Sequence, residues 1–433
     1  MNLGAWNFVA AIDVDKVNAE LAAQPGALIR TFSLSGQVVA SGSYGNWRIV
    51  PGGSGKILAM EIAIQDGQMQ APTGPIALHG SVLVLSIRLD LLPIENGGHT
   101  LVMDVATVTL REMRALPPGL GEIAGAALGT ALAQNISAHA DQVTFVLARM
   151  APLGPDAPPW LALGTPEFGY LVPEGGKPSL AIFAQPGSAE PVLKLDPTVI
   201  GPDGFGLAIS GRSFMRHIFR PALFSALGIP PDLRDEFNLP YWSQPGGDFS
   251  RPQPPLSRAQ ASPDSASFSI DGNHDLPSVS AGGGHYTPVL TSLQATLADD
   301  RVTIAFAGHC NLQMDISMDF NGSSSVTISM PQPGTLAFAP IGPSSFDKDV
   351  HIPWYDHLLD IAGGVAELIL QLTVNAIASE LSSGISDVAG TAALVNQAPD
   401  IVSWVGTDGF LPNAAGLADA LWLHGGPRHR SVA

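Results

Sequence analysis

In the stretch "SYGNWRIVPGGSGKILAMEI" (residues 43–62) a glycine-rich run ends in Lys56. A phosphate-cradling loop reads G-x-x-x-x-G-K-[ST]: backbone amides wrap the phosphates, the lysine reaches them and the hydroxyl binds magnesium. Gly55 and Lys56 supply the middle of that pattern, but its first glycine position is Val50 and its hydroxyl position is Ile57. A phosphate loop also runs into a helix N-terminus. Here Leu58, Met60, Ile62 and Ile64 alternate with Ala59, Glu61 and Ala63, which is the period of a strand. The stretch reads as a glycine turn between two strands.

Arg212, Arg216 and Arg220 are spaced four apart, with His217 beside them. On a helix they form a basic stripe that can hold a phospholipid headgroup, because guanidinium groups bind phosphate bidentately. The alternative is a solvated face, or pairing with acids such as Asp203. "DGNHD" (residues 271–275) opens like a calcium loop, but Leu276 stands at the sixth position and Gly282 at the twelfth, so it reads as a turn. The eleven histidines show no H-E-x-x-H motif or Cys/His cluster, and no metal is expected. "GLAISG" (residues 206–211) resembles a nucleophile elbow only superficially, since the glycine spacing is wrong. The lone Cys310 excludes an intramolecular disulfide and reads as a small core residue beside a strand.

The elements that must position these groups are apolar. Hydrophobic residues make up 45% of the 433 and charged ones only 13%, about half the usual fraction of roughly 25%. The length suits two or three domains. A net charge of −18 argues against a nucleic-acid partner, which needs a basic footprint. The opening "MNLGAWNFVAAIDVDK" lacks a basic leader, so the expectation is cytoplasmic synthesis with any release by a non-Sec route. "IAGGVAELILQLTVNAIA" (residues 361–378) approaches the length of a membrane span, but Glu367, Gln371 and Asn375 interrupt it, and a helix sheathed by its own protein is expected instead.

Several runs alternate cleanly: Leu83, Leu85, Ile87, Leu89 and Leu91; Leu312, Met314, Ile316, Met318 and Phe320; Val302, Ile304 and Phe306; Val326, Ile328 and Met330. Strands with one wet and one dry face make antiparallel sheets. Four segments carry helical period instead: 13–24 with Asp13 as N-cap, 120–139, 211–227 with a kink at Pro221, and 355–383. Strands are expected at 142–148 and around 401–405. The element order repeats weakly, which predicts an α+β fold of two halves, 1–195 and 196–433. Each half wraps one long helix in a strongly curved antiparallel β-sheet.

The opening "GAWNFVAAIDVDKVNAEL", then "SGSYGNWRIVPGGSGKILAMEIAI", "FGYLVPEGGKPSLAIFAQ", "GFGLAISGRSFMRHIFRPAL" and the closing "WVGTDGFLPNAAGLADALWLHGG" together resemble the clostridial P-forty-seven and OrfX family, proteins encoded beside some botulinum-type neurotoxins. That family is similar to the tubular lipid-binding (TULIP) proteins. The resemblance implies two TULIP-like halves and non-enzymatic binding of lipid or another apolar ligand, in a toxin- or secretion-associated complex with a protein partner from the same gene cluster. It brings no cofactor and no catalytic residue. It adds no ligand-contact motif either; the helical stripes themselves, Leu128 and Leu132 of one long helix and Val365, Leu368 and Leu372 of the other, are candidate lining residues for an acyl chain. The alternative is ordinary core packing, in an interaction module that binds a protein through its loops. Gly125, Gly129, Gly363 and Gly364 leave room for close-packed strands or for ligand.

Overall fold

The computed structural model describes residues 1–95, 97–152, 159–186, 192–226, 266–275, 278–281, 284–311, 317–342, 345–351 and 401–428. The helix expected over 355–383, with Val365, Leu368 and Leu372, therefore lies outside the described residues, as do Leu312, Met314 and Ile316.

The first strand, Trp6–Asp13, is buried at seven of its eight positions. Its place explains why: it pairs antiparallel with Ser179–Pro186 on one side and Phe205–Ser210 on the other. Around them a six-stranded central sheet runs outward to Glu167–Leu171 at one edge and to Ala420–Pro427 and Phe410–Leu417 at the other. Asp13 ends the first strand and caps helix α1 (Val14–Ala23), its carboxylate accepting from the Asp15 backbone N–H at 2.9 Å. Helix α1 buries Val14, Val17 and Leu21.

An eight-stranded sheet follows, in the order Thr31–Leu34, Ala40–Ser54, Ile57–Ala71, Val82–Pro93, His99–Arg114, Val146–Met150 and Val402–Trp404, with Gly74–Ala77 paired to Ile57–Ala71. The alternation at Leu83, Leu85, Ile87 and Leu89 points these side chains into the core, all fully buried. Asn18 of α1 ties to this sheet by donating to the Ile49 carbonyl and accepting from the Ile49 N–H. Helix α2 (Glu122–Ala138) packs on His99–Arg114. A third sheet of six strands, built mainly from Ala266–Asp275, Val289–Ala298, Arg301–Asn311 and Ser317–Gln332, buries Val302, Ile304, Phe306, Met318, Phe320, Val326 and Ile328. Antiparallel sheet dominates and helices are few.

One core joins residues from all three sheets, and a smaller cluster around Trp6 and Phe183, 5.5 Å apart, covers the other face of the central sheet. A division at 195/196 falls between strands of that one central sheet, and residues 402–404 extend the eight-stranded sheet that the N-terminal half begins. None of the described helices is long and apolar enough to cross a membrane.

Three local expectations change. "DGNHD" is not a turn: it closes strand Ala266–Asp275, and a bulge between Asp271 and His274 takes up its glycine and asparagine without ending the ladder. Residues 140–142 form a 3₁₀ turn and the strand after α2 starts only at Val146. Helix 211–226 is interrupted before Pro221, which itself lies in the first turn of a continuous last segment. Gly211–Phe214 (α3) is followed by a π turn, Met215–Phe219, and then by Arg220–Ala226 (α4). Proline has no N–H to give to the preceding turn, and the wider register accommodates that loss.

Candidate ligand-binding cleft

The glycine turn at Gly55 joins two strands of the eight-stranded sheet and docks on the central sheet. The Gly55 carbonyl accepts from the Tyr170 N–H at 2.7 Å. Lys56 Nζ pairs with Glu167 at 2.8 Å and lies 4.6 Å from the centre of the Phe168 ring. The lysine that mimics a phosphate-binding residue is thus held by a carboxylate and a ring face. Gly53 is glycine because a Cβ would meet the Ile57 carbonyl at 2.7 Å and the Tyr170 ring at 3.0 Å.

Arg212 and Arg216 are exposed, whereas Arg220 is 7% exposed and lies over the Phe224 ring at 5.0 Å. The π turn between them changes the angular step, so the four-residue spacing does not set all three on one wet face. His217 stacks on Trp160, ring centres 4.9 Å apart. Burial first, then the neighbouring Arg216 and Arg220, lower its pKa to about 4.

Leu128 and Leu132 are fully buried in the main core. The space beside them that Gly125 and Gly129 provide is taken by protein: a Cβ at Gly125 would lie 2.7 Å from Leu116, and one at Gly129 would lie 3.0 Å from Leu110. These glycines admit leucine side chains of the chain itself. The opposite face of α2 is exposed at Ile123 (89%), Ala124, Ala126 and Ala127.

Open space lies elsewhere. Strand Val146–Met150 sits between His99–Arg114 and Val402–Trp404, with Thr100, Arg149 and Ser403 in one cross-strand row. Beyond that row a cleft of about 900 Å³ opens at the seam between the eight-stranded and central sheets. Its lining includes Ile94, Val146, Met150, Trp404 and Val405, the last three of them buried, beside Arg149, Arg428 and Asp408, and more of its exposed surface is polar than apolar. Asp408 and Arg428 are fixed together: the Asp408 N–H donates to the Arg428 carbonyl at 2.9 Å, and Arg428 Nη2 donates to the Asp408 carbonyl at 3.2 Å. Arg149 is exposed and forms no ion pair among the described residues. Sequence reading misses this site because its walls come from opposite ends of the chain. The available signal is Arg149 itself, a single charge in the apolar run "TFVLARMAP".

The remaining chemical groups are engaged in structure. Ser210 caps α3 by accepting from the Ser213 N–H at 3.2 Å and donates to Asn7 Oδ1 at 2.9 Å. Cys310 is fully buried, and burial raises its thiol pKa to about 11. Among the described residues no three His, Cys, Asp or Glu side chains come together as a metal site. Tyr44 Oη, Tyr170 Oη and Trp47 Nε1 are buried without a hydrogen-bond partner among the described residues.

No family model matches the sequence. No curated protein matches it either. Among solved structures, P47 from Clostridium botulinum A2 is similar with a TM-score of 0.74 at 16% identity, covering 98% of this chain and 98% of that one. P47 of Clostridium botulinum E1 is similar with a TM-score of 0.74 at 15% identity, over 99% of this chain and 100% of that one. A lipopolysaccharide binding protein aligns over 98% of this chain at a TM-score of 0.34 and 10% identity, a likeness that carries no argument. The chain has the fold of the P47 proteins over its full length, and the resemblance read from the sequence is borne out at the level of the fold.

Proposed function

We propose that the protein is a non-enzymatic binding protein for a lipid or similar apolar ligand, and that the cleft at the seam of the two sheets is its site. The observation that carries this reading is the cleft itself: about 900 Å³ of open space whose lining mixes Ile94, Val146, Trp404 and Val405 with polar and charged groups. That volume lies in the range of roughly 300–1,000 Å³ typical of small-molecule sites. Burial of an acyl chain at about 0.8 kcal/mol per CH₂ would supply the affinity. The non-enzymatic part of the reading is supported by Ser210, Cys310 and His217, each committed to capping, burial or stacking. The test is mass spectrometry of the full chain, native and after solvent extraction, with added fatty acid and phospholipid. A stoichiometric ligand lost on extraction, or uptake of either lipid, supports the reading; an apo mass with no uptake overturns it.

A second reading is an interaction module with a filled core and a protein partner, which in the family resemblance comes from the same gene cluster. It is favoured by one observation: the inner face of α2 is packed by Leu110 and Leu116 while Ile123 on the outer face is 89% exposed. An apo mass combined with loss of complex formation in Ile123→Asp would select it.

A further inference from the structure

We propose that the groove between the far half of strand His99–Arg114 and helix α2 is a protein-docking site. Its occupant is an extended, uncharged segment of a partner polypeptide that pairs with the strand edge. The groove shares no lining residue with the seam cleft, so its failure as a site would leave the ligand reading untouched.

Strand His99–Arg114 is sixteen residues long, but Val146–Met150 pairs only with its first four, His99 to Val102. Beyond Val102 no described strand lies on that side. The direction of the free groups follows from the neighbouring ladder. The Leu89 N–H bonds the Lys56 carbonyl, so alternation turns Val82, Val84 and Ser86 the other way, towards His99–Arg114. Their partners there are Arg114, Glu112 and Thr109. Leu110, between two of these, therefore directs its N–H and C=O away from the ladder, as Val108 does its C=O. Among the described residues neither has a hydrogen-bond partner on that side. Such an edge is a template for another strand, whereas the edges at Thr31–Leu34 and Val402–Trp404 are only four and three residues long.

Helix α2 runs antiparallel to this strand: Gly129 faces Leu110, and further on Ser137 Oγ donates to the Ala106 carbonyl. Between those contacts lies an open groove of about 550 Å³. Val108 and Leu110 line one wall, and Thr130, Ala133, Gln134 and Ser137 the other. No charged residue lines it among the described residues, and α2 carries one, Glu122, in its seventeen. The arginines next along the strand are engaged, Arg111 by Ser86 and the Gly52 carbonyl, Arg114 by Glu112. A charged side chain entering here would lose hydration without gaining a counter-charge, so the groove fits an uncharged segment. An acyl chain would leave the strand-edge groups dry and unpaired; an extended polypeptide pairs them.

The test uses the full chain and a labelled hexapeptide of alternating Val and Thr, with its Lys-substituted, Asp-substituted and backbone N-methylated forms. Fluorescence anisotropy reads affinity, and amide hydrogen exchange reads residues 108–113. The uncharged peptide is expected to bind, to slow exchange at Leu110, and to lose at least about tenfold in affinity on N-methylation. Thr130→Trp or Gln134→Trp, which fill the groove from exposed positions on α2, should cause a similar loss. Gln294→Trp, in the third sheet, should cause none. Equal binding of the N-methylated form, or an amide of Leu110 already protected in the free protein, would overturn the proposal. So would failure of all four peptides to bind. Uptake of palmitate without peptide, lost in Thr130→Trp, would replace the polypeptide with a lipid. Self-association of the free chain, lost in the same variant, would replace it with a second copy.

Discussion

Lys56 Nζ lies 2.8 Å from a Glu167 carboxylate oxygen and 4.6 Å from the centre of the neighbouring Phe168 ring, so one side chain links two sheets. Both partners of the ion pair are about two-fifths exposed, with side-chain exposures of 41% and 43%. An exposed pair contributes up to about 1 kcal/mol, and an exposed cation over a ring about 0.5–1 kcal/mol. Lys56→Ala is therefore expected to cost about 1 kcal/mol, less at high salt, measured by denaturant unfolding. ATP with magnesium is expected to leave the melting temperature of the wild-type protein unchanged. A nucleotide-dependent rise that disappears in Lys56→Ala would reinstate the phosphate-loop reading.

The packed face of α2 makes a second expectation. Leu132 is fully buried and lies beside glycines whose space is filled by Leu110 and Leu116. Leu132→Ala is expected to lose about 2–5 kcal/mol, the range for a leucine truncated in a close-packed core. A loss below about 1 kcal/mol would mean that the side chain already faces open space, as a ligand-lining residue would.

Gly206 sits in the central sheet between Ala11 and His424. A Cβ there would overlap the Val199 carbonyl oxygen, a backbone atom with no rotamer to move. Gly206→Ala is expected to destabilise by about 3 kcal/mol or more, read as a lowered melting temperature, by forcing the 197–199 turn off the sheet. Wild-type stability in this variant would show that the turn yields freely.

Tyr44 Oη is buried without a partner among the described residues, and burial raises the phenol pKa well above its ordinary value. An unsatisfied buried hydroxyl costs about 1–3 kcal/mol. Tyr44→Phe keeps the ring against Phe32, 5.0 Å away, and is expected to be neutral or to stabilise by about 1 kcal/mol. Destabilisation by more than that would reveal a hydrogen bond to the hydroxyl.

His217 provides a pH signature. Burial and the nearby Arg216 and Arg220 hold its folded pKa at about 4, below the unfolded value of about 6.5. A depressed pKa means that the unfolded chain takes up the proton first. The stability from neutral His217 is thus complete above about pH 6.5 and is lost as pH falls towards 4. His217→Gln should flatten the stability profile in that window and leave it parallel to wild type above it. Identical slopes in both proteins would place the acid sensitivity elsewhere.

The sequence by itself determined what depends on near neighbours. Period-two alternation marks the strands around Leu85, Ile304 and Ile328; Asp13 marks the start of α1; and helical period marks the span of α2 to within two residues at its start. The strand period after Lys56 shows that its glycine loop is a turn. These signals are local because side-chain direction repeats every few residues along a strand or helix. The tertiary structure alone decided the partnerships. It set Trp6–Asp13 between strands from residues 179–186 and 205–210, and gave Lys56 its partner Glu167. It also filled the glycine notches of α2 with Leu110 and Leu116, which periodicity cannot distinguish from a ligand. The cleft joins Arg149 to Trp404 and Arg428 because strand pairing brings distant segments into register. No local spacing encodes that meeting.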